Sequence, residues 1–184
     1  KKKKMKTYVL TLSKYFPKNH NKSGFPTHFQ ESFILGTGCK GCTENQDLSG
    51  ENISLCNGCV RACLNPKIHT IRANYPFWLE RFKEIENGNA VLSIRQWLGK
   101  PYRSKQVEIA ILTAQDGIGI QRIQFHKDRE GVYSLKFFDI EGKDYNAVKL
   151  ANNDGLTFED WKEWFRTYNL SDPLAIIHFT QFRY

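Results

Sequence analysis

The sequence predicts an α+β domain built mainly on antiparallel strands that curl into a barrel. Four β-rich runs follow one another with only short breaks that contain Gly, Pro or Asp, a pattern typical of strands joined by tight turns. Two segments with apolar residues at helical spacing flank these runs. A chain of 184 residues, 40% hydrophobic and 14% aromatic, is long enough to bury the core of such a domain.

The first half of the chain predicts one strand and one helix. Residues 8–13 read as a strand, and the Pro/Gly/His-containing segment after them reads as irregular chain that leads into a cysteine-rich loop. Aromatic and aliphatic residues then recur every three or four positions over residues 75–85, which predicts a helix. The sequence Asn87-Gly88-Asn89 is typical of its end.

The second half carries the strands that decide the fold class. The four β-rich runs are residues 90–97, 105–113, 118–126 and 132–138. Thr157 with Asp160 matches a capping box, and an aromatic face follows it to about Tyr168, so a second helix is predicted there. After Pro173, residues 174–182 predict a final strand that closes the sheet.

The balance of charge favours polyanionic partners. The chain has 27 Lys and Arg residues, 19 Asp and Glu residues and a formal net charge of +8. Lys1 to Lys4 supply four of these charges as a solvated tail, which leaves +4 for the domain at residues 5–184. An excess of this kind attracts nucleic acid through long-range forces and counterion release.

Targeting signals are the next feature. The apolar run behind the basic tail is too short for a signal-peptide core, and no apolar stretch is long enough to span a bilayer. We therefore expect a cytoplasmic protein with no membrane partner.

Five cysteines lie in one stretch of the chain and predict a structural zinc site. Two C-x-G-C turns, in which each Gly allows a tight bend, are separated by a polar segment of thirteen residues. Their thiolates give the four-sulfur tetrahedral set of a closed zinc site, which would support the fold without catalysing a reaction. The proposed ligands are Cys39, Cys42, Cys56 and Cys59. Cys63 is left as a spare thiol, and disulfides, free thiols or an iron–sulfur cluster are the alternatives.

The absence of several catalytic motifs argues against the enzyme classes that use them. The chain has no Walker loop, no G-x-S-x-G elbow and no paired-histidine metalloprotease motif.

The histidines are predicted to differ in their surroundings. His20 and His28 lie in a polar segment and are predicted to be solvated. His126 and His178 fall in strand-like runs and are predicted to be hydrogen-bonded structural residues.

The run Lys67-Ile68-His69-Thr70-Ile71-Arg72 is the strongest candidate for a functional site. It places an ammonium, a hydroxyl and a guanidinium within six residues, a combination that suits an anionic or carbonyl-bearing ligand. Thr70 and Arg72 point the same way in an extended chain, and Lys67 joins them only if the chain bends near Pro66. A partly buried strand start with solvated basic residues is the alternative.

A second candidate surface surrounds the turn Gly99-Lys100-Pro101. Cations there alternate with aromatic rings, which can stack on bases and contact phosphates. The residues are Arg95, Trp97, Lys100, Tyr102, Arg103 and Lys105. The alternative is a hairpin loop with a solvated basic rim.

Taken together in order, these motifs resemble the ASCH family, a branch of the PUA-like barrels. The resemblance rests on K-x-x-T-x-R at Lys67, Thr70 and Arg72, on Asn153-Asp154-Gly155-Leu156-Thr157 before an aromatic helix, and on the closing strand. The segment from Ile94 to Ser104 is similar to phage-encoded members. The resemblance implies a mostly antiparallel β-barrel with flanking helices, interrupted at residues 36–65 by a zinc-ribbon-like insertion, and a cleft that faces RNA or a modified nucleoside.

The resemblance also implies a reaction. Small bacterial ASCH proteins include amidohydrolases that remove the acetyl group from acetylated cytidine with a Lys, a Thr and a Glu. Lys67 and Thr70 match the base and the nucleophile, while Asp154 stands where the family has Glu, as the acid or the residue that orients the lysine. Arg72 would hold the base or a phosphate.

Two interpretations without catalysis stand beside this one. The chain would be an RNA-binding module that uses the aromatic and basic hairpin, or a phage accessory protein that contacts a host protein through the zinc loop.

Overall fold

The computed structural model describes residues 5–38 and 64–184, and this part of the chain has the predicted α+β class. It contains four α-helices and eight strands in two sheets. The strands are β1 (Lys6–Leu12), β2 (His69–Arg72), β3 (Ala90–Trp97), β4 (Gln106–Leu112), β5 (Gly119–Lys127), β6 (Tyr133–Ile140), β7 (Lys143–Asp144) and β8 (Leu174–His178). The helices are α1 (Phe29–Thr37), α2 (Tyr75–Glu86), α3 (Ala147–Asn153) and α4 (Phe158–Phe165).

The smaller sheet has the strand order β1-β3-β4. Strands β1 and β3 run parallel with Lys6 opposite Ala90 and Leu12 opposite Gln96, so the chain between them makes a long crossover. Strands β3 and β4 form an antiparallel hairpin with an irregularity next to Arg95. The β3–β4 hairpin loop and the C-terminal end of β1 therefore lie at the same end of this sheet.

The larger sheet has the order β2-β8-β5-β6-β7, and its neighbouring strands are antiparallel. All five residues of β8 are buried, as expected for a strand with a neighbour on both sides. β2 lies at the edge beside β8, with His69 opposite His178.

The predicted barrel was wrong for the described residues, because their two sheets stay open. A barrel would need β4 to pair with β5, but a short 3₁₀ turn at Ala114–Asp116 and the left-handed Gly117 (φ 73°) direct β5 into the other sheet. The last strand does not close a sheet either. It ends at His178 and lies between β2 and β5.

The two predicted helices are confirmed as α2 and α4. Thr157 accepts a hydrogen bond from the Asp160 backbone N–H at 3.2 Å, and the helix after it buries Trp161 and Phe165. Helices α1 and α3 were missed, because the segments that form them are short and weakly amphipathic. Among the described residues, no helix is both long and apolar enough to cross a membrane.

Candidate functional site

Lys67, Thr70 and Asp154, which come from distant parts of the sequence, line one small internal cavity together with Arg72. Phe29, Leu156 and Phe165 are among the apolar residues that enclose it. Its volume is about 10 Å³, which is room for about one water molecule. The structure therefore brings the predicted trio together, and encloses it almost completely.

Secondary structure explains why these side chains meet. Thr70 and Arg72 are two residues apart on β2 and share one face of that strand. Lys67 precedes the strand and forms an isolated antiparallel bridge with Asp154, the residue directly after α3. Gly36 of α1 makes this packing possible, because a Cβ atom there would lie only 2.5 Å from the Lys67 carbonyl oxygen.

Lys67 and Asp154 form a buried ion pair. The Lys67 Nζ atom lies 2.5 Å from Asp154 Oδ1 and 2.6 Å from the Asp154 carbonyl oxygen. The two residues are only 1% and 3% exposed. The amine also sits over the Phe29 ring, 4.1 Å from its centroid, which adds a cation–π contact.

Burial shifts the pKa of each member of this pair in the direction that favours its neutral form. Loss of solvent lowers the pKa of Lys67, although the nearby Asp154 carboxylate acts in the opposite direction. Loss of solvent also raises the pKa of Asp154, again opposed by the lysine. Burial therefore weakens the hold of Lys67 on its proton relative to an exposed lysine, and Lys67 lines the same cavity as Thr70.

Arg72 forms the boundary between this inner cavity and the surface. It is half-buried, and its Nη2 donates a hydrogen bond to the Thr11 carbonyl oxygen at 2.6 Å. Arg72 and Ser13 line both the inner cavity and a much larger groove outside it.

The outer groove has a volume of about 560 Å³, which suits a nucleoside-sized ligand. One wall is the β3–β4 hairpin and the other is the segment after β1. The groove is lined by Thr11, Ser13, Lys14, Tyr15, Phe16, Pro17, Lys18, Arg72, Trp97, Gly99, Pro101, Tyr102 and Gln106. This lining contains three cations and no carboxylate.

The hairpin wall carries two aromatic rings from the predicted set. The ring centroids of Trp97 and Tyr102 are 5.4 Å apart. Tyr102 is 90% exposed and adopts a left-handed backbone conformation with φ 62°. Such a conformation is costly for a residue with a Cβ atom, and residues held in it cluster at ligand-binding sites.

Sequence reasoning missed the opposite wall of the groove. Residues 14–18 were interpreted as irregular chain, but Lys14, Tyr15 and Lys18 face the same groove as Trp97. Lys14 Nζ also donates to the Leu98 carbonyl oxygen at 2.9 Å, which ties the two walls together. The alternation of cations and aromatic residues after β1 was the available signal.

Four of the predicted binding cations do not line the groove. Arg95 is engaged by Ser93 and by Glu108, whose carboxylate lies 3.5 Å away. Lys100, Arg103 and Lys105 are exposed on or beside the hairpin loop. They contribute positive charge near the groove mouth without contacting its interior.

Another surface depression of about 480 Å³ lies between β6 and α4. It mixes acidic and basic side chains, and several of these are already paired, as Arg166 is with Glu163 at 3.1 Å. The groove beside Arg72 is the better binding candidate, because its charges have one sign.

A pair of histidines fills part of the core near the site. His69 and His178 are fully buried, with ring centroids 5.7 Å apart, and His69 Nε2 lies 2.7 Å from the Tyr184 hydroxyl. Contrary to the prediction of a hydrogen-bonded His178, neither of its ring nitrogens has a hydrogen-bond partner within residues 5–38 and 64–184. His20 was also predicted to be solvated, but it is 4% exposed and bonds the Asp160 carbonyl oxygen.

The predicted zinc site lies outside the described residues, which include none of Cys39, Cys42, Cys56, Cys59 and Cys63. Within residues 5–38 and 64–184, no group of three or more His, Cys, Asp or Glu side chains is arranged to hold a metal ion. The zinc site therefore stays a prediction of the sequence.

The chain was compared with family models, curated proteins and solved structures, and none of them matches it.

Proposed function

We propose that this protein binds RNA, or a nucleoside released from it, in the groove between residues 13–18 and the β3–β4 hairpin. The observation that carries the proposal is the aromatic pair of exposed Tyr102 and half-buried Trp97 in a groove that is also lined by Lys14, Lys18 and Arg72. Base stacking on aromatic rings and phosphate contact with cations are the two interactions by which proteins bind single-stranded nucleic acid.

The strain at Tyr102 supports this proposal. A tyrosine that exposes 90% of its surface gains little from packing, so its left-handed conformation is not explained by the core. A ring held in this position is free to stack on a base, and the nearby Trp97 offers a second apolar face.

The family resemblance supports the same function. An ASCH domain of the PUA-like superfamily is our proposal for the finer classification, on the order of its motifs and on the convergence of Lys67, Thr70 and Asp154 around one cavity. The α+β class is compatible with that proposal, whereas the open sheets are a departure from a closed barrel. A cytoplasmic location and a host-protein partner stay predictions of the sequence.

A titration with fluorescently labelled single-stranded RNA tests the binding function. We expect Trp97→Ala and Tyr102→Ala each to weaken binding by about 1–3 kcal/mol, the range for loss of one base stack. Phe137→Ala is the matched control, because Phe137 is 54% exposed but lies on β6, away from the groove. Equal affinities for all three variants would refute the groove as the binding site.

Deacetylation of an acetylated cytidine is the second candidate function. The specific observation in its favour is that the lysine, threonine and acid named by the resemblance line a common cavity, with burial lowering the pKa of Lys67. A neutral amine accepts a proton, and a threonine hydroxyl needs a base to become a nucleophile.

The proposed reaction has two steps. The Lys67 amine takes the proton of the Thr70 hydroxyl, whose oxygen attacks the acetyl carbonyl, and the bond to the exocyclic nitrogen breaks as that nitrogen receives the proton. Cytidine leaves, and water then hydrolyses the acetyl-threonine ester to acetate. Asp154 orients Lys67 through the short hydrogen bond to its Nζ.

Chromatography of acetylcytidine incubated with the protein tests this activity. We expect acetate and cytidine in equal amounts, a loss of activity in Thr70→Ala and partial retention in Thr70→Ser, which keeps the hydroxyl. Phe137→Ala again serves as the control for activity. Hydrolysis that persists in Thr70→Ala would exclude threonine as the nucleophile, and RNA binding without any hydrolysis would leave the binding function alone.

A further inference from the structure

The two cavities of the site share only a thin boundary. Arg72 and Ser13 line both the inner cavity of about 10 Å³ and the outer groove of about 560 Å³. A ligand in the groove can therefore lie on one side of the Arg72 guanidinium, while Lys67, Thr70 and Asp154 lie on the other.

The inner cavity is too small for the chemistry that its residues suggest. Its volume holds about one water molecule, whereas an acetyl group has three heavy atoms besides the atom that it is bonded to. Thr70 is 5% exposed, so its hydroxyl is not accessible to a reactant of that size. Access requires at least one boundary side chain to move.

Arg72 is the boundary residue that a ligand can displace most readily. Among the described residues, its guanidinium has one hydrogen bond, to the neutral carbonyl of Thr11, and no salt bridge. A guanidinium has five N–H donors in a planar arrangement, so Arg72 can donate further hydrogen bonds to a ligand. A phosphate or other anion offers it stronger, charge-assisted bonds than a carbonyl does.

Lys67, by contrast, is held in place. Its amine already bonds both Asp154 Oδ1 and the Asp154 carbonyl oxygen, and the Phe29 ring covers it. The two basic side chains of the site, Lys67 and Arg72, therefore differ in how readily a ligand can move them.

We propose that Arg72 is a ligand-displaced barrier between the groove and the inner cavity. An anionic group of a nucleotide in the groove draws the guanidinium away from the Thr11 carbonyl, and this movement opens a path to Thr70. The inference rests on the proposed function of the groove. It adds that occupation of the groove controls access to the Lys67, Thr70 and Asp154 trio.

Chemical labelling of a Thr70→Cys variant tests the barrier. The rate of reaction with iodoacetamide is measured by mass spectrometry of the peptide that contains residue 70, which separates this thiol from the native cysteines. We expect Thr70→Cys/Arg72→Ala to react about tenfold faster than Thr70→Cys alone, as expected when one charged hydrogen bond no longer holds the barrier. Thr70→Cys/Arg129→Ala is the matched control and should react at the rate of the single variant, because Arg129 is exposed and lines neither the cavity nor the groove.

The same labelling in the presence of uridine monophosphate tests displacement by a ligand. With Arg72 present, we expect the nucleotide to increase the rate several-fold over sodium chloride of equal ionic strength, and with Arg72→Ala we expect no increase. Reductive methylation of Lys67 in chains that keep Thr70 gives a second readout, in case Thr70→Cys disturbs folding.

The outcomes separate this inference from the proposed function. If the nucleotide binds in the groove, as judged by loss of binding in Trp97→Ala, and labelling does not change, the barrier is refuted and the groove function stands. If no nucleotide binds, the groove function fails. Equal labelling rates with Arg72 and with Arg72→Ala would overturn the barrier whether or not a nucleotide binds.

Discussion

The inner cavity and the outer groove use the same residue types in opposite ways. In the cavity, a lysine and a carboxylate are almost completely buried, bonded at 2.5 Å and enclosed by aromatic and aliphatic side chains. In the groove, Lys18, Tyr15 and Tyr102 are exposed to solvent, and no carboxylate is among the lining residues. Packing against apolar side chains determines the cavity, whereas the cations of the groove have at most neutral carbonyl or aromatic partners among the described residues.

The difference separates the energetic roles of the two regions. Changes in the cavity should alter the free energy of unfolding strongly, because a buried charge without its partner is costly. Changes in the groove should alter binding and leave the free energy of unfolding nearly unchanged, as is usual for surface positions.

Asp154→Ala should have the largest effect on stability. It leaves the Lys67 amine buried without its carboxylate, so we expect the free energy of unfolding to fall by about 3–5 kcal/mol. Urea denaturation measures this loss. The double variant Lys67→Met/Asp154→Leu removes both charges, and it should recover most of the stability.

A loss well below about 1 kcal/mol in Asp154→Ala would contradict the buried pair, since only exposed ion pairs contribute so little.

Acidification should have the next largest effect. Burial lowers the pKa of His178 to about 3 and that of His69 well below its usual range. The unfolded chain binds these protons below about pH 6.5 while the folded chain does not, so stability should fall as the pH decreases from there toward 3. Each histidine contributes at most about 1.4 kcal/mol per pH unit.

Urea midpoints between pH 5 and pH 7.5 measure this slope. His178→Phe should reduce it by the share of one histidine. An unchanged slope in His178→Phe would mean that His178 takes up its proton in the folded state.

Tyr102→Gly should weaken binding without lowering stability. Glycine adopts the left-handed conformation without strain, so we expect the free energy of unfolding to stay constant or to rise by up to about 1 kcal/mol. Affinity for single-stranded RNA should fall, because the stacking ring is gone. Unchanged affinity in this variant would show that the exposed ring has no part in binding.

The lysines of the groove should give the smallest effect, visible mainly in the salt dependence. Lys14→Ala and Lys18→Ala should each reduce the slope of log affinity against log salt concentration by about 0.7, the value for one contact with a single strand. Lys136→Ala is the matched control, because Lys136 lies on β6 and outside the groove. A control that lowers the slope equally would indicate binding by net charge alone.

The sequence predicted the second half of the fold better than the first. Strand β3 has the predicted bounds, and helix α4 begins after the predicted cap at Thr157, because the β-rich run and the capping residue are local signals. Helix α1 follows His28, which has a left-handed backbone (φ 58°) and makes no capping bond with its side chain, so the residue at the N-cap position is not one that indicates a helix start. The parallel pairing of β1 with β3 spans more than 80 residues and has no local signature.

The candidate site was likewise predicted only in part. Thr70 and Arg72 were predicted because they share a strand face, and Asp154 came from the family resemblance. The second wall of the groove was missed, because Tyr15 and Trp97 come together only through the β1–β3 pairing. The burial of Lys67 also depends on Gly36, which is distant in sequence and packs so closely on the Lys67 backbone that it has no room for a Cβ atom.

Photocrosslinking tests the central claim most directly. Single-stranded RNA that contains 4-thiouridine is irradiated with the full chain, and the crosslinked residues are identified by mass spectrometry. The account predicts crosslinks concentrated at Trp97, Tyr102 and Tyr15, and their loss when unlabelled RNA competes. Crosslinks confined to other surfaces, such as the β6 region around Phe137, would contradict it.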